Sequence, residues 1–164
     1  MDLLPDMFER DGKRFNCAES VIILVNQEMP LPGFGRGVMR GASNLGGGVS
    51  GWGSICGAVN GAAIVYGLLA GTEGDESLED FTRIRESMRA HTQEFLMLFE
   101  EKWGHVNCFD LLGVDTRTEE GKRMHEENKA RGEYYCEDYV FWSAEKLVEL
   151  IGRQGLAQGH TSQG

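Results

Sequence analysis

The chain has 164 residues and a formal net charge of −10, a size that suits one domain with its own core. Six of its 26 acidic residues lie in residues 1–72 and the other 20 lie beyond them. This acidic surface argues against nucleic acid and membrane surfaces as partners, because it repels phosphates and anionic lipids. Residues 1–6 lack the features of a secretory signal, so we expect a cytoplasmic, reducing setting without permanent disulfides.

Helical patterns dominate the first half of the chain, and no alternating apolar run predicts a strand. A first helix is predicted over residues 16–29, where Pro30 ends it. The glycine-dense residues 33–53 follow, with a short helix predicted at Arg36–Ala42. Residues 54–71 carry no charge, but they contain four glycines and lack flanking basic residues. They therefore predict a buried central helix rather than a membrane span.

The second half predicts four more helices. They cover residues 77–103, with a clear amphipathic pattern, and residues 108–112, 117–131 and 133–151. We therefore predict an all-α fold, a single domain of five to seven helices around a central glycine-rich apolar helix. The domain is expected to span residues 1–152, and residues 153–164 are expected to form a polar, disordered tail.

Four single cysteines are the residues with the most chemical meaning, and they are Cys17, Cys56, Cys108 and Cys136. They follow one another at intervals of 39, 52 and 28 residues, so tertiary folding must assemble any shared site. Each lies at or near a predicted helix start. Free backbone N–H groups and the helix dipole favour thiolate over thiol at such positions, and thiolates bind metals and exchange disulfides.

The residues before each cysteine predict how the helices begin. Asn16 and Glu19 form a capping-box pattern that places Cys17 at the first helical position. Ser54 is predicted to cap the central helix, with Cys56 in its first turn, and Asn107 to cap the helix that Cys108 begins. No single cap stands out before Cys136, where the last helix is predicted to open at Glu133.

Several chemistries are open to four such thiols: an iron–sulfur cluster, a structural zinc, dithiol and disulfide pairs, or metal-free core packing. The absence of CxxC pairs disfavours zinc. His105, three residues before Cys108, is the only histidine that we consider as a further ligand. No CxxCH motif occurs, which excludes covalent c-type haem. No catalytic pairing of Ser, His and Asp is legible, so enzymatic activity is left open.

The order of Cys17, the segment Cys56-Gly57-Ala58-Val59-Asn60-Gly61, Cys108 and Cys136 resembles the C_GCAxxG_C_C family of redox-active proteins, over about residues 15–142. The family label writes Gly-Cys-Ala where this chain has Cys-Gly-Ala. The resemblance implies a helical protein with four family-defining cysteines and a redox role. A similar module accompanies haem in split-Soret cytochromes, where it carries an iron–sulfur cluster.

These observations together predict a redox-active or electron-transfer accessory protein in which the four cysteines hold an iron–sulfur cluster. Gly57, Ala58 and Gly61 of the motif are expected to support the site, because small residues let another helix approach closely. The alternatives are a thiol–disulfide redox protein and a metal-free helical interaction module. A redox partner protein is expected. The apolar glycine-lined helix and the resemblance suggest a homodimer.

Overall fold

The structure, a computed structural model, describes residues 9–157, which form seven helices and one two-stranded hairpin. The hairpin pairs β1 (Glu9–Arg10) with β2 (Lys13–Arg14). The helices are α1 (Cys17–Glu28), α2 (Arg36–Ala42), α3 (Gly57–Ala70), α4 (Leu78–Trp103), α5 (Cys108–Leu112), α6 (Glu119–Ala130) and α7 (Cys136–Arg153). The prediction of an all-α domain with five to seven helices is confirmed.

Helix α1 begins as its sequence predicts. The side-chain oxygen of Asn16 accepts hydrogen bonds from the backbone N–H groups of Ala18 (2.9 Å) and Glu19 (3.0 Å). The Glu19 carboxylate in turn accepts from the Asn16 N–H at 2.8 Å. The Asn16 amide also donates to the carbonyls of Ala42 and Ser43. This one residue therefore fixes the start of α1 and ties it to the end of α2.

Helices α1 and α3 form the centre of the core. Helix α1 packs against α2, α3 and α7, and α3 packs against α1, α4 and α7. Apolar residues cover nearly the whole circumference of α1, and five consecutive ones, Val21 to Val25, are at most 7% exposed. Of the described part of the chain, no helix is long and apolar enough to cross a membrane.

Two predicted helix starts are wrong. Helix α3 begins at Gly57 rather than Ser54, because Ile55 leaves the helical path to form an isolated β-bridge with Asn107. Helix α7 begins at Cys136 rather than Glu133. The Glu133 N–H donates to the carbonyl of Asn128 and so completes the last turn of α6 instead.

The end of the chain is described as far as residue 157. Helix α7 continues through Arg153, and the Gln154 side chain donates to the Glu94 carboxylate at 2.8 Å. Leu156 packs against the core. Residues 158–164 of the predicted tail lie outside the described residues.

Candidate four-cysteine redox site

All four cysteines stand at helix starts. Cys17, Cys108 and Cys136 are the first residues of α1, α5 and α7, and Cys56 is the N-cap residue of α3. Cys56 therefore lies one position before the first turn in which it was predicted. The first backbone N–H groups of a helix have no intrahelical partner. Several of them donate to other groups here: those of Ala18 and Glu19 to the Asn16 side chain, and that of Cys108 to the Ser54 carbonyl.

Backbone hydrogen bonds hold Cys56 and Cys108 side by side. The Cys56 N–H donates to the Val106 carbonyl at 2.8 Å, and the Cys108 N–H donates to the Ser54 carbonyl at 2.7 Å. Ser54 thus contributes its carbonyl to α5 rather than its side chain to α3. Asn107 precedes α5 as predicted, but its amide donates to the Asp110 carboxylate and does not cap the helix.

One small cavity brings the four cysteines together. It has a volume of about 10 Å³, and its walls are Cys17, Cys56, Gly57, Cys108, Leu111, Leu112, Cys136 and Tyr139. Cys56 and Cys108 are buried, at 4% and 7% exposure, whereas Cys17 and Cys136 are half-buried. The volume is close to the minimum that holds one water molecule. The thiols therefore converge on nearly closed, apolar space.

Cys17 and Cys136 line the same cavity, and the ionisation of each depends on the other. The hydrogen bond with Cys136 lowers the pKa of Cys17, and the N–H groups of Cys17 itself and Gly47, with the charge of Arg14, lower it further. The same bond and burial raise the pKa of Cys136, because its proton is shared with Cys17. Cys17 is therefore the thiol that ionises first.

The two buried thiols resist ionisation. Burial and then the charge on Cys17 raise the pKa of Cys56 to about 12 and that of Cys108 to about 11. The N–H groups of Ala58 and Val59 face the Cys56 sulfur and favour its thiolate. No side-chain hydrogen bond caps this start of α3. Without a bound cation, the site therefore holds one thiolate more easily than several.

Glycines allow the helices that carry the cysteines to touch. A Cβ atom on Gly57 would lie 2.8 Å from the Cβ of Cys17, and one on Gly61 would lie 2.7 Å from the Ala18 carbonyl oxygen. Both distances are shorter than real Cβ contacts, so only glycine fits at these two positions of α3. Ala58 is fully buried beside them.

The glycine-dense loop before α3 contributes further to the site. The N–H of Gly47 faces the Cys17 sulfur. Nearby, a Cβ on Gly48 would meet the Ser54 backbone at 2.5 Å, and one on Gly53 would meet the Cβ of Phe109 at 3.1 Å. The loop thus packs against segments that carry Cys17, Cys56 and Cys108, which explains its density of glycine.

Two tyrosines that were not predicted from the sequence also belong to the site, Tyr134 and Tyr139. The Tyr139 hydroxyl donates to the Leu111 carbonyl at 3.3 Å, and burial with the charge of Cys136 raises its pKa to about 12. Burial and contact with Cys136 also raise the pKa of Tyr134. Spacing alone could have suggested Tyr134, which lies two residues before Cys136. His105 is exposed and does not line the cavity.

No three Cys, His, Asp or Glu side chains within residues 9–157 are arranged to hold a single metal ion. This finding bears on a mononuclear site such as zinc, whose ligands share one coordination sphere. The ligands of an iron–sulfur cluster bind different iron atoms and do not share one coordination sphere.

A known protein family matches the part of the chain that contains these residues. The family described as Putative redox-active protein (C_GCAxxG_C_C) matches residues 15–150, a range that contains all four cysteines. No curated protein and no solved structure matches the chain at a significant level. Since the match spans most of the sequence, the chain belongs to the C_GCAxxG_C_C family of redox-active proteins.

Proposed function

We propose that the protein is a small electron-transfer or redox-accessory protein whose four cysteines hold an iron–sulfur cluster. The observation that supports this proposal is that Cys17, Cys56, Cys108 and Cys136 line one cavity. Four thiols from four helix starts add little to a core that is already well filled, so a shared ligand is the simplest reason for their convergence. When bound, such a cluster supplies a one-electron redox couple.

The four thiols are suitable ligands for a cluster, but the cavity is too small to hold one unless neighbouring side chains move. Four thiol sulfurs in apolar surroundings are the usual ligand set, but the cavity of about 10 Å³ is too small for a group with several heavy atoms. Leu111 and Leu112 line this cavity and also a second pocket of about 250 Å³. Outward movement of these two side chains would provide space.

The residues around the sulfurs would tune the centre. The N–H groups of Gly47, Ala58 and Val59 face cysteine sulfurs, and hydrogen bonds to cluster ligands raise the reduction potential. Tyr139 and the two leucines exclude water from the buried side. Cys17 and Cys136, which are half-buried, lie on the side from which a partner would exchange electrons.

Anaerobic purification followed by iron and sulfide analysis tests the proposal. We expect visible absorption and equal amounts of iron and acid-labile sulfide, both lost in Cys56→Ser and Cys108→Ser. Met97→Ser removes a sulfur at a site on α4 that is 64% exposed, and it should keep the full iron content. Colourless protein with four titratable thiols, even after reconstitution with iron and sulfide, would exclude the cluster.

Cys17 and Cys136 line one cavity, and the ionisation of each depends on the other, which supports a second function, thiol–disulfide exchange. Oxidation of this pair releases two electrons and two protons to an oxidant and forms one disulfide. We expect a mild disulfide oxidant to remove two thiols per chain and peptide mapping to find Cys17 joined to Cys136. Loss of Cys56 and Cys108 at the same rate would contradict this selectivity.

Either function requires a redox partner protein, because electrons must be delivered to the cysteine site and removed from it. The homodimer and the cytoplasmic setting remain predictions. Solution scattering across a range of concentrations tests the dimer, and a monomeric mass throughout would contradict it.

A further inference from the structure

A second pocket, which we call the outer pocket, adjoins the four-cysteine cavity at Cys17. It has a volume of about 310 Å³, and Cys17 lines both this pocket and the four-cysteine cavity. A volume of this size lies at the lower end of the range for small-molecule sites. Cys17, which is half-buried, therefore lies between a pocket that can admit a small molecule and the cavity that it shares with Cys136.

The charge of this outer pocket is opposite to that of the chain. Arg14 lines it, and none of its lining residues is a carboxylate. Glu9 faces Arg14 across the hairpin, yet no carboxylate among residues 9–157 forms an ion pair with Arg14. Tyr134 and Gly47 are also among its lining residues. In a chain with a net charge of −10, this setting favours a small anion.

We propose that the outer pocket binds a small anionic disulfide, or the thiol that it yields, as the substrate of Cys17. The proposal rests on the thiol–disulfide function of the Cys17 and Cys136 pair. Arg14 would attract a carboxylate of the substrate while the substrate disulfide meets the Cys17 sulfur. Tyr134 interacts with Cys136 and also lines the pocket, so it lies where the pocket adjoins the pair of thiols.

The reaction balances as two exchanges. The Cys17 thiolate attacks one sulfur of RS–SR, which breaks that disulfide, forms Cys17–S–S–R and releases RS⁻, which takes up the proton that Cys17 had lost. The Cys136 thiol then loses its proton and attacks the Cys17 sulfur. This step forms the Cys17–Cys136 disulfide and expels the second RS⁻, which takes up the proton from Cys136. Two protein thiols are oxidised, and RS–SR is reduced to two RSH.

Three disulfides of similar size but different charge test the pocket: 3,3′-dithiodipropionate with two carboxylates, neutral 2-hydroxyethyl disulfide, and cystamine with two ammonium groups. Modification of Cys17 in the reduced full-length chain is timed by mass spectrometry. Each rate is divided by the rate for urea-unfolded chain, which removes intrinsic differences between the reagents. We expect the dianion to react about tenfold faster than cystamine, although the net charge of the chain favours cystamine.

Arg14→Gln should abolish this preference, measured as the ratio of the normalised rates for the dianion and cystamine. Because the charge of Arg14 also lowers the pKa of Cys17, its loss should slow all three reagents together, an effect that cancels in this ratio. Arg40→Gln removes an exposed cation on α2 that does not line the pocket, and it should keep the preference. Added salt should weaken it. Equal normalised rates, or a faster rate with cystamine, would overturn the pocket proposal alone. Failure of Cys17 to react with any of the three would overturn the thiol–disulfide function as well.

Discussion

The close contact between α1 and α3 makes Gly61→Leu an informative substitution. A Cβ atom at this position would lie 2.7 Å from the Ala18 carbonyl oxygen and 2.9 Å from the Cβ of Val21. Neither neighbour can rotate away, because one is helix backbone and the other is a branch point next to it. The larger side chain must therefore push the two helices apart.

Gly67 offers a matched control on the same helix. It is exposed, and a Cβ there would meet nothing within 4 Å. Glycine to leucine gains the same helix propensity at both positions, roughly 0.8 kcal/mol, so this contribution cancels in the comparison. The difference between Gly61→Leu and Gly67→Leu then measures overpacking, for which about 1–3 kcal/mol is expected. A central value of about 2 kcal/mol corresponds to about 4–8 °C in Tm for a domain of this size.

Urea unfolding followed by circular dichroism gives the free energy of unfolding of both variants. Iron content after reconstitution gives a second readout, because separation of α1 from α3 also separates Cys17 from Cys56. We expect Gly61→Leu to lose stability and iron and Gly67→Leu to lose neither. If the two variants matched in both measurements, the close approach of the helices would have no energetic consequence, and our reasoning would be refuted.

Three further predictions concern the cysteine site. Asn16→Ala should lower the free energy of unfolding by about 1–2 kcal/mol in urea, because it removes the cap of α1; an unchanged midpoint would contradict this. Gly57→Ala places a Cβ 2.8 Å from that of Cys17, so iron content should fall although no thiol is altered, and full retention would count against the contact. Metal-free protein should lose stability above about pH 9, because Cys56 and Cys108, with pKa values of about 12 and 11, stay protonated when folded but ionise near 9.0 when unfolded. The unfolded state then binds fewer protons, and equal urea midpoints at about pH 8 and 10 would contradict this sign.

Local signals in the sequence predicted much of the fold. Asn16 and Glu19 specify a cap within four residues, and Gly104 and Gly113 end α4 and α5 in the left-handed conformation that glycine adopts most easily. The spacing of Gly57 and Gly61 indicated close helix contact, because a residue without a side chain lets another helix approach. These features are readable because their physical cause lies within one or two turns of chain.

The wrong predictions concern positions whose conformation depends on residues far away in the sequence. Ile55 bridges to Asn107, and this pairing moves the start of α3 to Gly57. The contact between Cys17 and Cys136 likewise depends on how α1 and α7 meet, which no interval between cysteines encodes. The outer pocket could not be predicted either, because the hairpin, the glycine loop and Tyr134 join only in the folded chain.

The same contacts that stabilise the core also position the thiols. Gly57 lies directly after Cys56 and touches Cys17, so the distance between α1 and α3 sets the distance between two cysteines. Backbone hydrogen bonds, rather than flexible side chains, hold Cys56 beside Val106 and the start of α5, where Cys108 lies. A substitution that loosens the core should therefore also change the redox chemistry, because the packing of α1 against α3 sets the separation of Cys17 from Cys56. This coupling distinguishes a site assembled by helix contact from one formed by a flexible loop, whose chemistry would be independent of the packing of the core.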